Sequence, residues 1–491
     1  MTRPTDGSLD RYQPLVDDWE AFCEASRRRE PTVFRIRTGR VEPDQLLARL
    51  REQGFRTRPV EGLDHVHQVV DEPYAVTFTP EHWAGLLYVQ QASTAVAAPA
   101  LDPRPGDRVL DLCAAPGGKT SHLADLLEDT GCVVANDVSE GRIRGLLGNL
   151  YRLGHTNVLV TASDGRRFPE DALFDRVLVD APCTGEGTLR RRGGDPPEQS
   201  RGFLDFVTSA QDELLRKAIR VTRPGGTILY VTCTFAPEEN EAVVDAVLAD
   251  EPVTLEALDL PIPHAPGITS FEGRSFRPEL EGAARIYPHH LDSGGLFLAR
   301  LRKEGEATKA TADGWSPVPL RFPGDDATEG EAGELVRLAQ RTLRDYYDLD
   351  PAVLDEVGWL LRGGRLWLHT LDAWPVQGWA PGSWRTISAG FRAMEFDDRG
   401  RSRPTNDVLQ WLGSRLRRSV AELDDTEVDR LLDTGLLPSR EELMGLVAFR
   451  WRDVVLGRGA CTDDGIRSAV PKARAARLAR SREVMREAAG D

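Results

Sequence analysis

Residues 109–120 read Val-Leu-Asp-Leu-Cys-Ala-Ala-Pro-Gly-Gly-Lys-Thr, an apolar run followed by small residues and a polar helix start. This order is typical of a buried strand that turns tightly into a helix, where backbone N–H groups lie close to a ligand. A P-loop would need glycine at position 113, where Cys113 stands, and the dinucleotide fingerprint GxGxxG is absent. Two interpretations stay open here: an S-adenosylmethionine site, and a turn with a structural role alone.

Two acidic residues occupy positions that an S-adenosylmethionine site would use. Asp137 ends the next apolar run, and Asp164 lies in the loop after the third run, 158–161. Acids at the ends of successive strands hold the ribose and the adenine of that cofactor, so we expect both carboxylates at the edge of one sheet.

Apolar runs alternate with helical patterns over the middle of the chain. The apolar runs are 108–113, 132–137, 158–161, 174–180, 227–233 and 296–301. Several are apolar throughout, which is typical of strands covered on both faces. The alternation predicts an α/β domain built on a parallel, doubly wound sheet.

The 491 residues exceed what one hydrophobic core organises, so several domains are expected. Composition and patterning place the boundaries after residues 96, 303, 334, 384 and 460. The resulting segments are a small α+β domain (1–96), the α/β domain (97–303), an acidic linker (304–334), two small modules (335–384 and 385–460) and a basic tail (461–491).

The composition indicates a cytosolic globular protein. Six cysteines without a CxxC pair indicate neither a disulfide framework nor a zinc site. No apolar stretch is long enough to span a membrane, and the N-terminus lacks a secretory signal. We therefore expect a cytoplasmic protein with no membrane partner and no metal, acting as a monomer.

The net charge of −16 argues against a nucleic-acid partner, but the charges are unevenly distributed. Residues 24–58 contain ten arginines against five acids, and residues 466–486 contain seven basic residues against one acid. Because charges are screened over roughly 10 Å at 0.1 M salt, a local basic patch binds a polyanion whatever the total charge. Two solvated helical surfaces would explain the same patches.

Two further motifs lie at the ends of later predicted strands. Val-Leu-Val-Asp-Ala-Pro-Cys ends at Cys183 and contains Asp180, and Ile-Leu-Tyr-Val-Thr-Cys contains Cys233. Ligands of open α/β sheets bind at the carboxyl ends of the strands, so two thiols and a carboxylate are expected in one pocket. A lone cysteine is more often a small buried hydrophobe, but the conjunction favours a functional site.

In these motifs the sequence resembles the Sun-domain family of RNA cytosine-5 methyltransferases. The matching blocks are residues 110–120, 180–187 and 230–241, with shorter matches at 88–93 and 287–297. The C-terminal half resembles the PUA-like RNA-binding extensions of the bacterial branch that modifies small-subunit (16S) ribosomal RNA. The resemblance implies a Rossmann-like methyltransferase domain, an N-terminal RNA-recognition domain and an RNA partner, with transfer RNA as the alternative substrate.

The resemblance also implies residue roles. S-adenosylmethionine would be bound by Cys113, Ala114, Ala115, Pro116, Gly117, Gly118, Lys119, Asp137, Asp164 and Asp180. Cys233 would be the nucleophile, Cys183 would assist product release, and Asp180 would also be catalytic. Gln91 departs from the family pattern, in which an acidic residue is common at this position.

The chemistry of cytosine gives the same assignment. Addition of a thiolate to carbon 6 makes carbon 5 nucleophilic, a carboxyl group at the N3 edge stabilises the developing charge, and a second base removes the carbon 5 proton. Analogy with DNA methyltransferases would instead make the Pro-Cys thiol, Cys183, the nucleophile. Thr232-Cys233 favours the RNA-type arrangement, with Cys233 attacking. A catalytically silent RNA-binding platform is the alternative from another class.

Two other clusters invite interpretation. Adjacent His289 and His290, on a segment expected to be extended, would point in opposite directions, which argues against a shared metal. Arg190–Arg192 follow the Pro-Cys loop and are predicted to contact phosphates at the mouth of the site.

Overall fold

A computed structural model describes residues 9–192, 201–306, 321–322, 325–371, 384–397 and 399–490. The N-terminal part is a small α+β unit with an antiparallel sheet of order β2-β3-β1-β4. Its strands are β1 (Val33–Ile36), β2 (Arg56–Pro59), β3 (Val66–Asp71) and β4 (Leu87–Val89). Its helices are α1 (Trp19–Arg27), α2 (Pro43–Glu52) and α3 (Pro80–Trp83), with 3-10 turns at Leu9–Leu15 and Val76–Phe78.

The central domain is organised around one large sheet. Its strands are β5 (Arg108–Asp111), β6 (Cys132–Asn136), β7 (Val158–Thr161), β8 (Phe174–Asp180), β9 (Thr222–Thr232), β10 (Val253–Glu256), β11 (Ala265–Pro266), β14 (Ala284–Ile286) and β15 (Leu296–Lys303), and a separate hairpin pairs β12 (Ser270–Phe271) with β13 (Arg274–Ser275). The helices are α4 (Ala92–Ala95), α5 (Ala97–Leu101), α6 (Gly118–Leu126), α7 (Glu140–Leu153), α8 (Arg201–Val221), α9 (Glu241–Asp250) and α10 (Pro288–Leu291), and 3-10 turns lie at Gly165–Arg167, Glu186–Arg192 and Pro278–Gly282.

The α/β prediction is confirmed, although the sheet is mixed rather than wholly parallel. Strands β9, β8, β5, β6 and β7 are neighbours in that order and run parallel. Strand β15 lies antiparallel to β9, and β14 antiparallel to β15. A short connection such as the one between β14 and β15 joins antiparallel neighbours, because a parallel pair needs a crossover of a dozen or more residues.

The sheet is buried on both faces. Along β8, Val177 and Val179 belong to the apolar cluster on one face, whereas Leu178 belongs to the cluster on the other. Burial on both sides explains why these strands are apolar throughout. Helix α7 has the predicted limits because the Ser139 side chain caps its first turn and Gly154 ends it in a left-handed conformation.

The C-terminal half forms two further sheets. The strands are β16 (Val357–Arg362), β17 (Arg365–Thr370), β18 (Thr386–Ala389), β19 (Phe391–Phe396), β20 (Ser402–Pro404), β21 (Val420–Leu423), β22 (Leu436–Leu437), β23 (Leu446–Trp451), β24 (Val454–Thr462) and β25 (Gly465–Ser468). The helices are α11 (Glu329–Tyr347), α12 (Ala352–Asp355), α13 (Asn406–Leu412), α14 (Asp425–Thr434) and α15 (Lys472–Ala489), with a 3-10 turn at Gly413–Arg415. The sheet orders are β16-β17-β19-β20 and β21-β23-β24-β25-β22.

These elements do not divide at the boundaries proposed from composition. The β16–β20 sheet runs across residue 384, and β18 leaves it to pair antiparallel with β7 of the central sheet. The expected tail from 461 contains β25 and α15, because its apolar residues Leu478 and Met485 are buried. The last part of the expected linker is helical, since Thr328 and Glu331 form a capping box at the start of α11. The rest of that linker lies largely outside the described residues.

None of the helices in the described ranges combines the length and apolarity needed to cross a bilayer.

Candidate active site

A cavity of about 580 Å³ lies at the carboxyl ends of the parallel strands. The residues expected from sequence that line it are Cys113, Ala115, Pro116, Lys119, Asp137, Asp164, Asp180, Cys183 and Cys233. The sheet therefore brings both motif cysteines and all three motif acids to one space. Ala114, Gly117 and Gly118 belong to the same turn but do not line the cavity.

The two glycines of the turn serve its packing. Gly117 has φ +104°, and a Cβ on it would lie 2.7 Å from Cδ1 of Leu146 on α7. A Cβ on Gly118 would lie 3.2 Å from the ring of Tyr88. Glycine therefore permits both a left-handed backbone and close approach of two neighbouring elements, which fixes the turn at the start of α6.

The two acids predicted at strand ends face the cavity from fixed positions. Asp137 accepts hydrogen bonds from the backbone N–H groups of Ala115, at 3.1 Å, and Ser139, at 2.9 Å. Asp164 accepts from the backbone and side chain of Arg166, and this side-chain hydrogen bond lowers the Asp164 pKa. A carboxylate has about four lone-pair sites, so both acids keep capacity to accept from a ligand.

The two motif cysteines are in contact. Their Sγ atoms lie 3.1 Å apart, and the backbone N–H of Cys233 donates to Sγ of Cys183 at 3.3 Å. The hydrogen bond between the thiols lowers the pKa of Cys233 and raises that of Cys183 well above its ordinary value. These opposite shifts make Cys233 the more acidic of the two thiols. Burial raises the pKa of Cys113, the third cysteine of the cavity, so it stays a neutral thiol.

A lysine supplies the positive field that sequence reasoning left unassigned. The ammonium of Lys119 lies 2.7 Å from Oδ2 of Asp180. Burial alone would lower the Lys119 pKa, but Asp180 outweighs it, so the pKa is raised and the ammonium persists. Its charge also contributes to lowering the pKa of Cys233. The sequence predicts that Lys119 binds cofactor; in the structure it pairs with the Asp180 carboxylate and acts electrostatically on the Cys233 thiol.

Two acids, the buried Glu239 and the half-buried Glu186, support the cysteine loops, and sequence reasoning did not single them out. Glu239 accepts from the backbone N–H of Thr184 at 3.0 Å and from the Gln211 amide at 2.9 Å. Glu186 accepts from the hydroxyls of Tyr12, at 2.9 Å, and Thr234, at 3.0 Å. Burial raises the pKa of both acids. Both lie in the motif blocks 180–187 and 230–241, which was the available signal.

Another acid near the site, Asp111, was also missed. It is buried, and its Oδ2 accepts from the hydroxyl of Thr120 at 2.7 Å while Oδ1 has no partner among the described residues. Burial raises the Asp111 pKa to about 7. A carboxyl group that holds its proton near neutrality is consistent with one unpaired oxygen.

The phosphate-contact hypothesis is wrong for Arg190. Its side chain is fully buried, donating to the backbone carbonyls of Arg28 and Arg29 and pairing with Asp292 at 2.8 Å. All its charge is used to anchor the loop after Cys183. The side chains of the next two arginines lie outside the described part of the chain.

The two adjacent histidines converge rather than diverge. They lie on the helical turn α10, and the Nε2 atoms of His289 and His290 are each 3.0 Å from the carboxylate of Asp17. The three side chains are close enough to hold an ion. However, Nδ1 of His290 accepts from the backbone N–H of Tyr287, so a neutral ring carries its proton on Nε2 and donates it to Asp17. A metal-bound histidine uses its other ring nitrogen as a hydrogen-bond donor, whereas Nδ1 of His290 accepts. We therefore interpret the three side chains as a hydrogen-bonded cluster and not as a metal site.

Comparison with known proteins agrees with this geometry. A family model described as 16S rRNA methyltransferase RsmB/F matches residues 98–302. The tRNA (cytosine(49)-C(5))-methyltransferase of Pyrococcus abyssi is 33% identical, over 60% of this chain and 95% of that protein. Ribosomal RNA small subunit methyltransferase F of Vibrio vulnificus is 28% identical, over 93% of each chain.

This chain spans only about a third of the length of one relative. The 28S rRNA (cytosine-C(5))-methyltransferase of mouse is 36% identical, over 57% of this chain but only 36% of the mouse protein. The crystal structure of a methyltransferase homologue from Pyrococcus horikoshii has a TM-score of 0.54 and 35% identity, covering 60% of this chain and 98% of that one. The resemblance seen in the sequence motifs is confirmed: the chain belongs to the 16S rRNA methyltransferase RsmB/F family.

Proposed function

We propose that this protein methylates carbon 5 of a cytosine in RNA, with S-adenosylmethionine as the methyl donor and Cys233 as the nucleophile. Relatives named as rRNA and tRNA cytosine-C5 methyltransferases support the reaction class. The observation that carries the proposal is the pair of thiols 3.1 Å apart, of which Cys233 has the lowered pKa, in a cavity that also contains Asp180.

The cavity suits S-adenosylmethionine, which when bound supplies an electrophilic methyl group. Its volume of about 580 Å³ lies within the range of roughly 300–1,000 Å³ that small-molecule sites occupy. The turn at 113–116 offers close backbone approach, and Asp137 and Asp164 retain acceptor capacity for ribose hydroxyls and an adenine amine. Leu112 and Val138 add apolar surface beside them.

The thiolate of Cys233 forms a bond to carbon 6 of cytosine, and the ring electrons make carbon 5 nucleophilic. Negative charge develops toward the N3 edge of the ring, and the ammonium of Lys119, which Asp180 holds in the cavity at 2.7 Å, stabilises it. The target base is unstacked to reach the cavity, as enzymes acting on bases require.

Cys183 acts after methyl transfer. Its thiol first releases its proton to solvent, and the resulting thiolate takes the proton from carbon 5. The C–H electron pair then restores the ring double bond, and the bond between Cys233 and carbon 6 breaks, leaving Cys233 as a thiolate. The high pKa of Cys183 derives first from its hydrogen bond to Cys233. Once the sulfur of Cys233 is bonded to carbon, that negative charge is gone, so deprotonation of Cys183 becomes easier.

Small-subunit ribosomal RNA is the favoured substrate. The Vibrio relative named as a ribosomal RNA small subunit methyltransferase matches 93% of both chains, including the C-terminal half. The tRNA methyltransferase from Pyrococcus abyssi matches only 60% of this chain, which leaves about two fifths of it without a counterpart. A cytoplasmic location follows from a ribosomal substrate.

The test compares wild type with Cys233→Ala and Cys183→Ala on purified 16S ribosomal RNA. Bisulfite sequencing is expected to detect 5-methylcytosine with wild type alone. Cys183→Ala is expected to accumulate an RNA adduct that survives denaturing electrophoresis, whereas Cys233→Ala forms none. An adduct in the Cys233 variant would reverse the two cysteine roles. A catalytically silent platform would give no methylation and no heat of S-adenosylmethionine binding by titration calorimetry.

A further inference from the structure

The outer face of helix α7 carries two glycines that the protein's own packing does not require. Gly145 and Gly148 are both exposed, and a Cβ on either would meet nothing within 4 Å among the described residues. Glycine within a helix is less favourable than alanine, so neither helix stability nor contact inside the chain explains them. Close approach of another molecule to the backbone of α7 would explain both glycines.

Two arginine-lined cavities meet on this face, and Gly148 lines both. One, of about 640 Å³, contains Arg152, Arg474 and Arg477. The other, of about 520 Å³, contains Arg144, Arg362, Arg365 and Arg392. No carboxylate lines either cavity in the ranges that the structure describes. In a chain of net charge −16, this concentration of positive charge is complementary to a polyanion.

Part of this positive charge is uncompensated. Among the described residues, Arg144, Arg392 and Arg477 form no ion pair with a carboxylate, unlike Arg474, which pairs with Asp407. Burial lowers the pKa of Arg152 to about 10, and the nearby charge of Arg477 acts in the same direction. Guanidinium groups held close together without counter-charges are typical of phosphate sites.

Two aromatic rings pack beside the arginines of the second cavity. Trp367 lines the second cavity and is 9% exposed, and its Nε1–H has no hydrogen-bond partner among the described residues. The guanidinium of Arg392 lies 5.9 Å from its ring centroid, and the ring of Tyr151 is 6.4 Å away. We favour a nucleic acid strand over an acidic protein segment as the occupant, because the proposed reaction already requires RNA at the cavity that Arg142 of the same helix lines.

We infer that this surface, the α7 groove (Arg144, Gly145, Gly148, Arg152, Arg392 and Arg477), binds the phosphodiester backbone of the RNA strand that carries the target cytosine. The inference rests on the proposed RNA methylation. Helix α7 connects the two sites, because Arg142 near its N-terminus lines the active-site cavity and lies 3.4 Å from Asp137. The strand would continue from the active site along a helix roughly 21 Å long.

The test measures RNA affinity of the full-length triple variant Arg144→Gln/Arg392→Gln/Arg477→Gln. The probe is a fluorescein-labelled 30-nucleotide polycytidylate, followed by anisotropy in 50–300 mM KCl. Each lost phosphate contact lowers the slope of log affinity against log salt by about 0.7, so the slope should fall by about 2. The affinity at 0.15 M KCl should then fall roughly 50-fold.

A matched control removes the same charge elsewhere. Arg337, Arg341 and Arg430 are exposed, form no ion pair among the described residues and line neither cavity. The triple glutamine variant at these positions is expected to bind RNA within threefold of wild type. Equal losses in the two triple variants would reduce the effect to net charge and overturn the inference.

A second variant tests the glycines without changing charge. Gly145→Leu/Gly148→Leu fills open space on the helix, so we expect an unchanged or higher melting temperature together with at least tenfold weaker RNA binding. If this variant and the arginine variant both bind RNA with wild-type affinity, the α7 groove does not bind RNA and the inference is refuted. That result is expected if an acidic protein segment, not RNA, occupies the groove. If the variants lose RNA binding while wild type produces no 5-methylcytosine, the groove stands and the proposed reaction falls.

Discussion

The contact between the two active-site thiols makes a measurable prediction about Cys183→Ala. The Sγ atoms of Cys183 and Cys233 lie 3.1 Å apart, and their hydrogen bond is the largest cause of the lowered Cys233 pKa. Removing the Cys183 thiol leaves the charge of Lys119 to oppose burial and the charges of Asp180 and Glu239, which raise the Cys233 pKa. The Cys233 pKa should therefore rise.

The size of the rise follows from the strength of the hydrogen bond. Hydrogen bonds to charged groups contribute about 1.5–3 kcal/mol, and a thiol is a weak donor, so the lower end applies. Since one pKa unit corresponds to about 1.4 kcal/mol, the Cys233 pKa should rise by about one unit. At a pH below both values, the thiolate fraction falls about tenfold.

The rate of alkylation by iodoacetamide measures the thiolate fraction of Cys233, because only the thiolate reacts. The rate at Cys233 is measured against pH by peptide mass spectrometry, which separates it from Cys113 in the same cavity. The rate rises with pH through the pKa, so Cys183→Ala should shift the curve to higher pH. Cys183→Ser keeps an O–H donor and should stay close to wild type.

Two results would refute this reasoning. An unchanged or lower inflection in Cys183→Ala would mean that Cys183 does not stabilise the thiolate. An equal shift in the alanine and serine variants would assign the effect to altered packing. Cys461→Ala, far from the cavity in sequence and outside its lining, serves as the control for cysteine removal in general.

Three other substitutions test the supports of the site. Arg285→Met leaves Glu241 buried without its partner, 2.7 Å away in the wild type, and should cost about 3–5 kcal/mol in urea unfolding; a loss below 1 kcal/mol would contradict a paired buried charge. The backbone N–H of Gly295 donates to the carbonyl of Gly187, whose own N–H donates to the carbonyl of Cys233. In Gly295→Ala a Cβ would lie 2.2 Å from the ring of Phe235, so adduct formation at Cys233 should slow at least tenfold with S-adenosylmethionine affinity unchanged. Equal rates would show that the backbone at Gly295 shifts without disturbing Cys233. The folded protein keeps the proton of Asp111 up to about pH 7, whereas the unfolded chain releases it near pH 4. The free energy of unfolding should therefore fall by up to roughly 4 kcal/mol as pH rises through that window. Asp111→Asn should remove this pH dependence in urea titrations, and an identical pH dependence in the variant would refute the raised pKa.

Local signals predicted much of the central domain. Helix α7 begins after its N-cap Ser139 and ends at Gly154, as predicted, and β7 and β8 also have the predicted limits. These elements are encoded by short-range patterns: a cap, a left-handed glycine and uninterrupted apolar runs. The antiparallel β15 and the insertion of β18 beside β7 have no such local signal, because a strand's partner depends on distant parts of the chain.

The same contrast holds for polar side chains. Arg190 follows the Pro-Cys loop and was predicted to contact phosphate, yet its guanidinium donates hydrogen bonds to backbone carbonyls near residue 28. The two histidines at 289 and 290 were expected to diverge, but a single helical turn directs both at Asp17. In each case the deciding partner lies more than 150 residues away, so no local pattern contains it.

Sequence by itself determined that two thiols and several carboxylates meet at one edge of the sheet. This follows because each motif ends a parallel strand, and parallel strands share their carboxyl edge. Tertiary structure alone decided that the thiols of Cys183 and Cys233 are in contact, that Lys119 pairs with Asp180, and that arginines of the C-terminal half face α7. Those contacts depend on angstrom-scale packing between segments far apart in the chain, which periodicity and spacing do not encode.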